Sequence, residues 1–211
     1  MNPTMNGMPN IDWAVREIAL SNDFNIIDTM INEVEPGSGG VIYHPYIGAA
    51  GERSPFTNTN AKASFFGINA ETDRAALVKA VYEGMVFSIK DCLLKAFDES
   101  EIYVSGGGAK SSILPQLIAD ATGMNVNISN GKELGAKGAA IMLGVSQGYY
   151  KDYNDAREKT CKVERSLVAD PKKKFVYDEY FKLFKELRLS YDKLWNMRRE
   201  TMNTIADHYK E

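Results

Sequence analysis

The stretch VSGGGAKSS, residues 104–112, sets three consecutive glycines between a short β-branched run and a helical pattern. Glycine lets the backbone approach a ligand closely and take positive φ. Free amides at the start of a following helix attract anions. The combination suits a phosphate or nucleotide cradle, and Ser111 or Ser112 suits the N-cap, which would start that helix directly after the glycines. Two familiar phosphate loops do not fit. A Walker loop needs four residues between its first glycine and Gly-Lys-Ser/Thr, and here Lys110 follows Ala109, so the count fails. A dinucleotide fingerprint needs a third glycine where Ser111 stands, and an acidic residue at the end of the next strand, where NISNG has none. On these residues alone, a glycine-rich turn that only packs a helix on a strand stays open.

Other side chains offer chemistry with plainer alternatives. Asp120 and Glu133 could act as an acid/base pair; equally, Glu133 caps the first turn of its helix, where a carboxylate favours the dipole, and Asp120 makes a structural bond. Glu52 and Arg53 either face a cleft or order their loop. Lys110 is a phosphate ligand or a solvated lysine, and His44, beside Pro45, reads as half-buried structure. With two histidines, His44 and His208, and two distant cysteines, Cys92 and Cys161, the chain has little material for a metal site, a histidine-based triad or a disulfide framework. Reduced thiols are expected.

These groups must be positioned by alternating helices and strands. Residues 11–20 read as a short helix, and Asp23 caps a second over 24–34, with Ile27, Met30 (or Ile31) and Val34 at helical spacing. VIYHPYI is the first strand, residues 48–63 a long Gly/Ser/Thr/Asn/Pro loop, and ASFFGI a second strand. Thr72 or Asp73 caps a long helix over 74–97, with Leu77, Ala80, Val81, Gly84, Met85, Ser88 and Cys92 along one side. A strand at 102–105, a helix at 111–122, a strand at 125–129 and a helix at 133–147 follow. This is an α/β pattern, in which ligands bind at the carboxyl edge of parallel strands. Beyond DPKKK, the positions of Tyr177, Tyr180, Phe184, Leu187, Tyr191 and Leu194 define an amphipathic helix of roughly 20 residues. It either packs back on the protein or pairs in a helix–helix homodimer, and from Arg198 onward it is expected to fray.

The 211 residues suffice for one large or two small domains. A formal charge of −3 argues against a polyanion-binding surface, and no apolar run approaches the roughly 20 residues of a membrane span. No nucleic-acid or membrane partner is therefore expected, and the polar start of the chain leads to a cytoplasmic expectation.

VSGGGAKSSILPQLIADATGMNV, followed by KELGAKGAAIMLGVSQGYY, resembles the carboxyl-terminal half of the FGGY carbohydrate kinases, which include xylulose, L-xylulose, glycerol, gluconate and erythritol kinases. HPYIGAAGERSPFTNTNAKASFFGI, ALVKAVYEGMVFS and NGMPNIDWAVRE match further family segments in order, so the resemblance runs from about residue 6 to residue 150. Asn58, Thr59, Lys62, Ala63 and Ala76 depart from the usual pattern. The resemblance implies an α/β, ribonuclease H-like or actin-like ATPase domain, the second of two in a sugar kinase, over residues 1–165. An appended helix and tail would occupy 166–211. It implies ATP, with Mg2+ brought by the nucleotide, and a sugar or polyol of the pentulose kind as partner. By resemblance, Gly106 belongs to the nucleotide site, Gly107 and Gly108 lie on the adenosine and α-phosphate side, Ala109 and Ser112 approach the adenine, and Gly7 and Asp12 face the nucleotide. The general base and most sugar contacts would belong to an amino-terminal domain not contained here, leaving this chain inactive by itself. The alternative is a stand-alone, non-catalytic nucleotide-binding or interaction module of the same fold.

Overall fold

A computed structural model describes residues 4, 7–21, 23–93, 101–129 and 133–210. The chain forms two compact units, the first comprising residues 1–98 and 171–211, the second residues 99–170. The helix and tail expected over 166–211 thus begin at Pro171 and belong to the first unit. Among the described residues no helix is long and apolar enough to cross a membrane.

In the first unit, α1 (Pro9–Ala14) starts on a proline, whose missing N–H costs nothing at a helix start, and passes into a π-helical segment, Val15–Ala19. The single α-helix expected over 11–20 is therefore two helical forms. Helix α2 (Phe24–Asn32) is capped as expected: the Asp23 carboxylate accepts from the Asn25 amide at 2.9 Å. Strands β1 (Ile42–His44) and β2 (Ser64–Phe66) pair antiparallel, Tyr43 opposite Phe65. The loop between them closes on a bridge between Glu52 and Asn58.

Helix α3 (Arg74–Leu93) begins at Asp73, whose side chain accepts from the Ala76 amide at 2.7 Å. The end of the expected helix, residues 94–97, lies outside the described residues. A one-sided helix was expected, but α3 is buried on all sides, because α1, α2, β1 and helix α7 (Pro171–His208) surround it. Charged residues on its other faces are buried with partners. The Glu83 carboxylate accepts from the Gly37 amide at 3.0 Å and the Ser38 hydroxyl at 2.7 Å. Lys79 donates to the carbonyls of Ile31 and Val34, and Lys90 pairs with Asp178 of α7 at 2.5 Å. Burial raises the Glu83 carboxyl above the usual carboxylate range, and the Ser38 and Gly37 hydrogen bonds oppose that shift.

Helix α7 is 38 residues long, almost twice the expected length, and stays helical to His208 instead of fraying from Arg198. No glycine or proline interrupts it after Pro171, so local propensity carries it past its packed part. Tyr177, Phe181, Phe184 and Trp195 are its buried positions, while residues 196–210 are exposed. Trp195 stacks on Phe56 and donates its indole N–H to the Lys62 carbonyl at 3.1 Å.

His44 is fully buried, not half-buried, and stacks on Phe184 of α7 with ring centroids 4.4 Å apart. Its Nε2 lies 3.0 Å from the Phe184 carbonyl, which can only accept, so this nitrogen carries the proton. Burial lowers the His44 pKa to about 4; the bond to Phe184 opposes this and the Arg188 charge adds to it. An unfolded chain protonates the same imidazole near pH 6.5. Between these values the unfolded state binds the extra proton. Stability is therefore whole above about pH 6.5 and falls with pH towards about 4, by roughly 3 kcal/mol in all. Urea denaturation at about pH 7 and about pH 4.5 should show this loss in the parent, and His44→Gln should lack that share of it. An equal pH dependence in both proteins would remove His44 as the cause.

In the second unit, β3 (Glu101–Val104) and β4 (Asn125–Ser129) run parallel, joined through helix α4 (Leu114–Thr122). Strand β5 (Val163–Leu167) adds antiparallel to β4, giving the order β3-β4-β5. Helices α5 (Leu134–Ser146) and α6 (Tyr153–Thr160) lie between β4 and β5 in the chain. Neither α6 nor β5 was anticipated from the sequence. Val126 and Ile128 bury the sheet's apolar face, with Leu117 and Ile118 of α4 also buried.

Candidate functional site

The glycines do not lead directly into an α-helix. They form a 3-10 turn, Gly107–Lys110, and α4 begins only at Leu114, with Pro115 in its first turn. Ser111 is not an N-cap in the expected sense. Its hydroxyl accepts from the amides of Ile113 (3.3 Å) and Leu114 (3.1 Å) and orders the link between turn and helix. The anion-attracting amides near the glycines are thus those of a tight turn. Gly106 has φ 77° and ψ −152°, a backbone region essentially reserved for glycine, and a Cβ there would have no atom within 4 Å. At Gly108 a Cβ would come 3.3 Å from Leu114 Cδ2, so this glycine allows the turn to lie against α4.

The turn opens on a cavity of about 640 Å³ at the carboxyl ends of the parallel strands β3 and β4. It is lined by Ser105, Gly106, Gly107, Ala109 and Lys110 of the turn, by Ile128, Ser129 and Leu134, and by Glu164 and Arg165 of β5. This is the sheet edge at which ligands bind in α/β folds. Among the expected nucleotide residues, Gly106, Gly107 and Ala109 therefore come together on one cavity. Gly108 and Ser112 are not part of its lining, and Ser112 is exposed. Gly7 and Asp12 lie in the first unit. The Gly7 carbonyl accepts from the Asn10 amide at 3.0 Å, and Asp12 is an exposed residue in the first turn of α1.

The remaining candidates resolve into structure. Asp120 is buried and its Oδ1 accepts from Gln116 Nε2 (2.8 Å) and the Asp170 amide (2.9 Å). Glu133 occupies the N-cap position of α5, yet its side chain makes no capping bond; only its carbonyl takes part, accepting from the Lys137 amide. Glu52 is buried and orders its own loop, accepting from the amides of Arg53 (2.7 Å) and Ser54 (3.3 Å) and from the Thr4 hydroxyl (3.0 Å). Cys92 is buried, Cys161 exposed, and both are free thiols. Among the described residues no group of three or more His, Cys, Asp or Glu side chains comes together to hold a metal.

Glu164 and Arg165 are the charged lining residues that sequence reasoning missed. Their strand carries alternating charges and no long apolar pattern, so nothing local marked VERSL as part of a sheet.

An α/β fold with a glycine turn beside a cavity at the carboxyl edge of its parallel strands is an arrangement that can hold a ligand, and comparison with known proteins sharpens it. Residues 11–147 match the FGGY family of carbohydrate kinases, C-terminal domain, and the chain belongs to that family. It is 31% identical over 201 residues to the erythritol kinase of Brucella abortus, covering 89% of this chain and 38% of that protein. It is 25% identical over 191 residues to the xylulose kinase of Staphylococcus xylosus, covering 89% and 39%. Among solved structures, the xylulose kinase and the gluconate kinase of Lactobacillus acidophilus superpose with TM-scores of 0.83 and 0.84, each at 23% identity. They cover 90% and 93% of this chain, and 39% and 40% of those chains. Plasmodium falciparum glycerol kinase with ADP matches at a TM-score of 0.67 and 20% identity, over 83% of this chain and 36% of that one. The fold is thus the actin-like, ribonuclease H-like fold of sugar kinases. The chain spans less than two-fifths of the length of the curated relatives it is compared with here.

Proposed function

We infer that this chain is the nucleotide-holding part of an ATP-dependent carbohydrate kinase, with a pentulose or related carbohydrate as acceptor. The observation that carries the reading is the glycine turn: Gly106 in a glycine-only conformation and Gly107 and Ala109 beside it border an open cavity at the parallel-strand edge. Backbone of this kind meets a nucleotide closely, and a tight run of amides favours its anionic groups. The family resemblance adds Gly108 to the same role. Gly7, Asp12 and Ser112 carry their assignment on resemblance alone.

When bound, ATP supplies the γ-phosphoryl group, which passes in line to a sugar hydroxyl while a carboxylate accepts that hydroxyl's proton. Such transfer depends on positioning and charge stabilisation. This chain contributes the hold on the nucleotide; the general base and the sugar site belong to the companion domain. Among the described residues of the lining Glu164 is the one carboxylate, and Mg2+ takes most of its contacts from phosphates and water, so the ion arrives with the nucleotide. The chain by itself transfers no phosphoryl group, and its setting is cytoplasmic.

Calorimetric titration with MgADP and MgATP, repeated on Gly106→Val, tests the reading. The parent should show saturable binding. The variant should lose it and keep its circular dichroism, because valine cannot adopt the Gly106 conformation and the turn must refold locally. Unchanged binding in the variant would place the nucleotide elsewhere.

A further inference from the structure

We propose that β5 forms a second binding wall of the cavity, with Arg165 taking a phosphate of the nucleotide and Glu164 tempering how tightly that phosphate is held. The inference rests on the nucleotide reading of the glycine turn and adds to it the residues that grip the anionic part of the ligand. Consecutive residues of a regular strand point to opposite faces, so neighbours in sequence do not both face one cavity. Glu164 and Arg165 both do. The register between β4 and β5 explains this. Ile128 pairs with Arg165, whereas Ser129, the next residue, pairs with Val163, so Glu164 is the extra residue of a β-bulge. Bulges re-aim side chains and recur beside functional sites. This one places two adjacent charged residues on the cavity that the glycine turn also lines.

The chemistry of the wall favours an anion with a neutral remainder. Arg165 and Lys110 are exposed cations that line the cavity, and neither side chain has a hydrogen bond or ion pair among the described residues. With Glu164 the charged side chains among the described lining residues sum to +1. A guanidinium presents a planar fork that matches two phosphate oxygens, and such charge-assisted pairs are the strong ones. Glu164, adjacent in sequence and unpaired among the described residues, opposes the same anion and lowers the local potential. The two side chains should therefore act with opposite sign on a phosphorylated ligand and not at all on an uncharged one.

The test uses the full chain, labelled with 15N, titrated separately with ADP and with adenosine, and read from amide shifts of the assigned spectrum. In the parent, ADP should bind more tightly than adenosine. Arg165→Gln should weaken ADP about tenfold and leave adenosine unchanged. Glu164→Gln should strengthen ADP several-fold, again without effect on adenosine. The dispersed spectra of both variants report that they remain folded. Equal loss of ADP and adenosine in Arg165→Gln, or weaker ADP binding in Glu164→Gln, would overturn the phosphate role. Adenosine binding at the glycine turn with no preference for ADP would overturn it too, leaving the nucleotide site intact. If neither compound shifts the amides of Gly106 to Ala109, the nucleotide reading fails and takes this inference with it.

Discussion

Replacing Gly84 by alanine should destabilise the first unit by roughly 3 kcal/mol or more, at the severe end of overpacking effects. A Cβ at this position would stand 2.1 Å from the Tyr43 carbonyl oxygen and 3.2 Å from Tyr43 Cβ. The nearest neighbour is backbone, so no side-chain rotation relieves the clash; helix α3 and strand β1 must separate. That contact anchors a cluster in which Tyr43 packs on Phe65, with ring centroids 4.7 Å apart, and on Trp13. The sign is diagnostic. In an exposed helix the same change stabilises by about 0.5–1 kcal/mol, because glycine loses more backbone freedom than alanine on folding. Gly135 and Gly138 of α5 supply the control, since a Cβ at either meets nothing within 4 Å. Urea denaturation of Gly84→Ala and Gly138→Ala should move the midpoint in opposite directions. A Gly84→Ala protein as stable as its parent would refute the close approach of α3 to β1.

Arg188→Met should cost the first unit about 3–5 kcal/mol by leaving Asp91 buried without its counter-charge. Asp91 of α3 and Arg188 of α7 lie 3.4 Å apart with side chains only 7% and 11% exposed. The Arg188 guanidinium also sits 4.9 Å from the centre of the Phe56 ring. Neither Asp91 Oδ2 nor Arg188 Nε has a hydrogen bond. The pair is therefore poorly compensated, and its desolvation is a standing cost. Removing one partner exposes that cost; removing both should largely cancel it, since apolar residues of similar volume often replace buried ion pairs without loss. The double variant Arg188→Met with Asp91→Leu should recover most of the stability in thermal unfolding. Additive losses would mean that the two side chains are held independently.

These two positions show how the first unit is fastened. Its central helix is locked to a strand by an absent side chain and to α7 by charges, Lys90 with Asp178 as well as Asp91 with Arg188. Such contacts fix where α3 stands. The second unit is fastened differently: β4 lies between a parallel and an antiparallel neighbour, and the cavity opens where β3 and β4 end.

Local chemistry carried much of this arrangement. Asp23 and Asp73 start their helices as their cap chemistry requires, β4 spans its expected residues, and α5 departs from expectation by one residue at each end. The order of the glycine turn, ADATG and KELGAKGAA was enough for the family, because close backbone approaches and helix packing tie those residue types to their spacing. What tertiary structure alone decided is pairwise and distant in the chain. Burial of Lys79, Glu83, Lys90 and Asp91 depends on partners 40 to 100 residues away, which no helical period announces. Ser111 orders a link instead of starting a helix because Pro115 and the glycine turn move the helix start downstream. The wall made by Glu164 and Arg165 exists only because β5 pairs with β4 one residue out of register, and a bulge is a property of two strands together.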